Sequence, residues 1–295
     1  MSSTALKLAQ LLATRRTPEA GYEAVAGAGA NTESTALAAL ALGDAEACEW
    51  LLARQRPDGA WPLGDAVPEP SWASSWALIA LAQAGAGAEP LAHGADWLVA
   101  REGWRPSLLA RTIGALTGQR RRIEHDLALR GWPWHEGAAS WCEPTASALL
   151  ALRQLSTRIA TPGASERALA GERLLWNRMC VGGGWNYGNR RVLGETIPPY
   201  PDTTALVLLA LHGSARREEI AHSFAALERL LVAHASSLAL ALAALAHELH
   251  GRDPEPLRRA LRERIERRGP PSETRAVAFS LLALDGGAAR LSVPT

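Results

Sequence analysis

The sequence predicts an all-α fold, a ring of helix hairpins, and three observations carry that prediction. An Ala/Leu-rich phrase opening on Thr or Ser recurs along the chain. The helices that it describes have no polar face, so each must be buried on all sides. Amphipathic segments with Arg and Glu on one side alternate with them and read as surface helices. Apolar helices inside and amphipathic helices outside make an α/α toroid, which buries the inner set better than an open solenoid of the same hairpins.

The elements follow in order. The N-terminal "MSSTALKLAQLLATRR" is amphipathic and too broken for a secretory signal. Inner helices are expected at "TESTALAALAL" from Thr32, "SSWALIALAQ" from Ser74 and "CEPTASALLAL" from Cys142. Two more follow at "PDTTALVLLAL" from Pro201 and "SETRAVAFSLLAL" from Ser272. Weaker copies start at Pro106 and Ser236. Thr35, Ser75, Thr145, Thr204 and Thr274 align, giving a period of about 35–40 residues with an insertion before Thr204. Outer helices are expected over 44–55, 90–101, 119–130, 165–179, 215–232 and 254–268. No stretch reads as a linker, so residues 1–295 read as one domain of six or seven hairpins.

Composition excludes several classes. With 31 basic and 30 acidic residues the net charge is +1, which leaves no electrostatic footprint for nucleic acid. The longest wholly apolar run, "LALALAALA", falls far short of the roughly 20 residues that span a bilayer. Cys48, Cys142 and Cys180 have no CxxC spacing, so a reducing compartment is expected rather than a disulfide framework. Together these predict a soluble cytoplasmic protein. Tryptophan is over-used, at 11 against 2 Phe and 3 Tyr. That bias suggests indole is wanted for its bulk, its N–H or its electron-rich face.

Gln55-x-x-x-Gly59-x-Trp61 resembles the QW repeat of squalene-hopene cyclases and related terpenoid cyclases. The phrases "EPTASALLAL" and "DTTALVLLAL" resemble inner helices of that superfamily and of protein prenyltransferase β subunits. The resemblance runs from about Tyr22 to Leu284. It implies an isoprenoid or similar lipid as ligand, held in a central Trp-lined cavity. The motif itself reads as a staple: Gln55 bonds backbone groups, Trp61 covers the neighbouring turn, and Gly59 permits the turn. In the second copy Met179 replaces the glutamine.

The candidate chemistry lies at the inner-helix starts. Glu33, Glu143, Asp202 and Glu273 stand there, each suited to capping a helix and, as a ring of carboxylates, to acid–base work. Trp72, Trp76, Trp132, Trp134 and Trp141 accompany them, with Cys142 beside Glu143. The segment 182–204 is long for a helix connection and carries Tyr187, Arg190, Arg191 and Tyr200. It loosely resembles the prenyltransferase segment between a diphosphate-binding basic pair and a zinc ligand. That likeness would put Arg190 and Arg191 on a diphosphate and Asp202 at the metal. Thr204 stands where a cysteine ligand belongs, and no His starts a later inner helix, so neither metal nor cofactor is expected. No two aspartates are adjacent, so the Asp-x-Asp-Asp acid of class II cyclases is absent too. Glu143, Asp202 and Glu33 remain as candidate acids. His247 and His250 read as solvated or capping residues. Two other readings stay open: a carbohydrate-active toroid with paired carboxylates, and a non-catalytic binding or scaffold protein.

Overall fold

The computed structural model describes residues 2–107 and 126–293. Among these residues twelve α-helices form two concentric layers. The inner layer is α2 (Thr32–Leu42), α4 (Ala73–Gln83), α6 (Cys142–Leu155), α8 (Pro201–Ala210), α10 (Ser237–Leu249) and α12 (Thr274–Leu284). Each inner helix packs on the next and α12 returns to α2, so the ring is closed. The outer layer is α1 (Ser3–Ala13), α3 (Ala45–Ala53), α5 (Ala88–Ala100), α7 (Ala164–Arg178), α9 (Arg217–His234) and α11 (Glu255–Arg268). The protein is an α/α toroid, and the described residues supply six inner helices. The Ser236 copy is the inner helix α10. The Pro106 copy and the 119–130 segment fall mainly on residues 108–125, outside the described residues. α4 packs directly on α6.

Burial explains the two layers. In α8 every residue from Thr203 to Ala210 is buried, whereas α11 buries only Leu261 and Ile265. Alanine lets the inner helices approach closely. Each leucine among them withdraws enough apolar surface to contribute roughly 1.5–3 kcal/mol. Trp76 of α4 and Phe279 of α12 meet edge-on inside the ring, with centroids 5.4 Å apart.

A recurring hydrogen-bond set fixes each outer turn to the next inner helix. The backbone N–H groups of Tyr22, Trp61, Trp132 and Trp185 donate to the hydroxyls of Thr35, Ser74, Thr145 and Thr204, at 2.8–3.0 Å. The anchoring hydroxyl of α4 is therefore Ser74, one residue before the expected Ser75. Thr274 also departs from the alignment. It is the first residue of α12, and its hydroxyl donates to Glu23 O, as Thr32 at the start of α2 donates to Pro62 O. Val277 takes the place that Thr35 holds in α2.

The indoles of the same turns reach back. Nε1 of Trp61, Trp132 and Trp185 donates to the carbonyls of Leu51, Leu98 and Leu175, at 2.7, 2.9 and 2.6 Å. Gln55 Nε2 donates to Gly59 O at 3.0 Å and to Pro90 O of α5 at 2.9 Å. Gly59 has φ +89°, and a Cβ there would stand 2.2 Å from His93 O. Gly183, two residues before Trp185, repeats the arrangement with φ +91° against His222 O. These turns therefore clamp successive outer helices together.

The two poles differ. At the C-terminal end of the inner helices a 3₁₀ helix, Gly287–Leu291, packs on α10 and α12. Arg290 Nη1 donates to Leu40 O and Ala41 O at 2.6 and 2.9 Å, and Gln154 Nε2 donates to Arg290 O at 3.1 Å. At the opposite pole the loops carry two small hairpins, β1 (Pro62–Gly64) with β2 (Val67–Pro70) and β3 (Arg191–Val192) with β4 (Glu195–Thr196). No helix among the described residues is long and apolar enough to cross a membrane.

Candidate functional site

The second residues of the inner helices converge at this second pole. They are Glu33 in α2, Glu143 in α6, Asp202 in α8, Leu238 in α10 and Arg275 in α12. Trp72 completes the set for α4, two residues before its anchoring Ser74 as Glu33 is two before Thr35. Helix starts favour acidic residues because unpaired N–H groups and the helix dipole point there. Arg275 breaks that rule, and its position explains why. Its Nη2 lies 3.3 Å from Glu143 Oε2 and its Nη1 lies 3.9 Å from Glu33 Oε1. Thr203 Oγ1 donates to the other Glu143 oxygen at 3.0 Å. Trp72 Nε1 donates to Glu33 Oε1 at 3.4 Å.

The electrostatics distinguish the members. Burial raises the Glu33 carboxyl above its ordinary range. Arg275 and the Trp72 N–H pull it back, while Glu143 and Glu273 push it further up. Burial works against the Arg275 cation, but Glu33 and Glu143 outweigh it and hold the guanidinium protonated. Arg275 Nε has no hydrogen-bond partner. One cation therefore serves two carboxyls in direct contact and a third, Asp202, through space. Asp202 turns one oxygen back to the N–H of Thr203 at 3.0 Å.

The aromatic residues sort into three places. Trp72 and Trp134 meet edge-on at the pole, with centroids 5.0 Å apart, and Tyr187 and Tyr200 form a second pair at 5.0 Å. Burial, then Asp202 and Glu143, raises the Tyr187 phenol. Trp76 lies within the ring, and Trp132 is the buried clamp residue, with the Arg167 guanidinium 3.5 Å from its ring centroid. Trp141, Cys142 and Glu143 diverge despite being consecutive. Trp141 lines an outer cleft with Arg178 and Gly188, Cys142 is wholly buried, and Glu143 faces Arg275. Burial raises the Cys142 thiol well above its ordinary value, so it is held as a neutral thiol.

The long loop is built around Asn186. Its Oδ1 accepts from the N–H groups of Gly188 and Asn189 at 2.9 and 3.0 Å, and its Nδ2 donates to Asn189 O at 3.0 Å. Arg191 is exposed on the β3–β4 hairpin and donates to Gly194 O, whereas Arg190 is half-buried. Glu273 is exposed and immediately precedes α12. Arg275, two residues on, had no precedent among acidic helix starts. Its only sequence signal is a cation at a position where three other inner helices carry an acid. His247 is buried rather than solvated: it meets Ala243 O at 2.8 Å and packs on Phe224, while His250 meets Leu208 O at 2.9 Å. The three cysteines are free. Among the described residues no group of three His, Cys, Asp or Glu converges to hold a metal ion.

No family model and no curated protein matches the chain. Solved structures do. The apo type II terpene cyclase MstE from Scytonema matches at TM-score 0.61 and 17% identity, with 98% of each chain covered. An α-1,6-mannanase, GH76A of Salegentibacter sp. HEL1_6, solved as an inactive variant with α-1,6-mannotriose, matches at 0.57 and 10%, over 97% of this chain and 98% of its own. A protein from Actinoplanes matches at 0.55 and 14%, over 97% of this chain and 99% of its own. At these identities the likeness is one of fold. The chain shares the α/α toroid of enzymes that act on very different substrates.

Proposed function

We propose that this pole binds an isoprenoid-type ligand and that Glu33 is its proton donor. One observation carries the reading: Glu33 is a carboxyl raised by burial, held against an indole N–H, at one pole of a toroid whose interior is aromatic and aliphatic. Glu33 transfers its proton to an alkene carbon, and the π pair forms the new C–H bond. The adjacent carbon becomes a cation, which indole faces stabilise where water is excluded. A neighbouring alkene or a departing proton then quenches it, and Glu143 is the available acceptor. Arg275 keeps the charge of the pole near neutral while the proton moves. A variant of MstE was solved with geranylgeranyl dihydroxybenzoate as substrate, a ligand of this class on this fold.

A second reading has its own support. Arg275 touches two carboxyls, so this pole is polar, and aromatic pairs together with paired acids suit a sugar. The test offers both ligands. Native mass spectrometry with geranylgeranyl dihydroxybenzoate and with mannotriose reports which is retained, and product analysis follows with wild type and Glu33→Gln. Retention and turnover of the prenylated ligand, lost in Glu33→Gln, is the expected result. Retention of mannotriose alone transfers the site to the sugar reading. Retention of neither overturns both and leaves a scaffold.

A further inference from the structure

Arg178, the last residue of α7, is only 5% exposed, yet no carboxylate among the described residues pairs with it. Its Nε and Nη1 have no hydrogen-bond partner. The other deeply buried arginine among the described residues differs. Arg167 also lacks a carboxylate, but it donates to Arg101 O, Arg130 O and Gly131 O and lies over Trp132. Arg178 has no such carbonyl cradle. It lines a cleft of about 110 Å³ with Trp104, Ser140, Trp141, Gly188 and Asn189. A single water needs roughly 10–15 Å³ of such space, so the cleft admits a small multi-atom group.

A buried cation without a counter-charge is strongly unfavourable. Burial, and then Arg190 nearby, depresses the Arg178 value to about 10, which still leaves it charged at neutral pH. The guanidinium is thus a charged group with unspent donors at the wall of the cleft. We infer that this cleft binds an oxyanion, the phosphate or carboxylate group of a small molecule, on the Arg178 guanidinium. Ser140 and Asn189 line the same space, and each carries a polar group that an oxyanion can use. Trp141 and Trp104 form an apolar wall against which the rest of the ligand lies. The site is separate from the Glu33–Arg275–Glu143 set and does not depend on the chemistry proposed there.

The test uses the whole protein and two probes, sodium phosphate and sodium acetate, with sodium chloride at matched ionic strength as reference. Thermal melts and titration calorimetry are run on wild type and Arg178→Met. Saturable stabilisation of wild type by phosphate or acetate, weakened at least tenfold in Arg178→Met, is expected. A preference for phosphate names a phosphoester headgroup, and a preference for acetate names a carboxylate; either supports the site. In chloride alone Arg178→Met melts at or above wild type, because it loses an uncompensated buried charge. No saturable effect of either probe on wild type overturns the site, as does an unchanged response in the variant. Should Arg178→Met fail to fold, wild type is labelled with phenylglyoxal and mapped by peptide mass spectrometry. Phosphate protection of Arg178 sustains the site, and equal labelling with and without phosphate overturns it.

Discussion

Glu33 is where residue-scale physics makes the sharpest demand. Its folded value lies above the ordinary 4.5, so its contribution to stability is present below that pH. It is lost as the pH rises through the folded value, because the folded state then gives up a proton it favours. Glutamine imitates the protonated carboxyl. Glu33→Gln is thus expected to melt above wild type at pH 8, with the gap closing as the pH falls to 4.5 and below. Melts across that range check it, and a gap that widens toward low pH would sink the assignment. If Glu33 is the acid, the same variant loses turnover by a factor of about 10²–10⁴. Arg275→Met tests the partner. It leaves Glu143 buried with Thr203 as its remaining donor, and a broken buried pair costs about 3–5 kcal/mol. Chemical denaturation measures that loss, and Glu143→Gln in the same background should recover much of it. The acids at this pole were legible in the sequence, because an acid just inside an apolar helix is conspicuous. Arg275 was not. Its role depends on α12 returning to α2 and on Arg275 reaching Glu143 of α6, which no local pattern encodes.

The helix hairpin was the most legible unit. Its inner helix is apolar on every side, its outer helix is striped, and the turn between carries Gly and Trp. The sequence did not disclose the bond set that joins one hairpin to the next, since it runs through backbone groups. The one-residue error at Ser75 has the same origin: adjacent serines look equivalent until one of them must meet the N–H of Trp61. Two substitutions separate the parts of this clamp. Trp61→Phe keeps most of the bulk and leaves Leu51 O with the Arg54 N–H but without its indole donor, which should cost about 0.5–1.5 kcal/mol. Gly59→Ala forces a Cβ to 2.2 Å from a backbone carbonyl at φ +89°. The conformational strain alone is about 1–3 kcal/mol, and the clash adds to it, so Gly59 should tolerate alanine worse than Trp61 tolerates phenylalanine. Urea midpoints of the two variants rank them. The reverse order would mean that the turn relaxes away from α5.

Closure is the property of the whole molecule, and it sets how the chain unfolds. An open array of hairpins loses its ends first, since each unit leans only on its neighbours. Here the first and last hairpins lean on each other. α12 packs on α1 and α2, Thr274 N–H donates to Ala24 O, and Arg290 donates to the carbonyls that end α2. These contacts join residues about 250 positions apart, so they are made only when the ring is complete. No terminal unit is then free to fray, and unfolding should be a single transition. Tryptophan fluorescence, which samples the clamp turns, and far-ultraviolet circular dichroism, which samples both helix layers, should give coincident urea curves. Arg290→Ala is the decisive variant. It removes two charge-assisted bonds at the seam, each worth about 1.5–3 kcal/mol, while touching nothing at the opposite pole. A lowered midpoint with the two probes still coincident would show that the ring unfolds as one body. Separation of the probes in this variant alone would show that the seam is what suppresses fraying. Separate transitions already present in wild type would show that closure adds contacts without adding cooperativity.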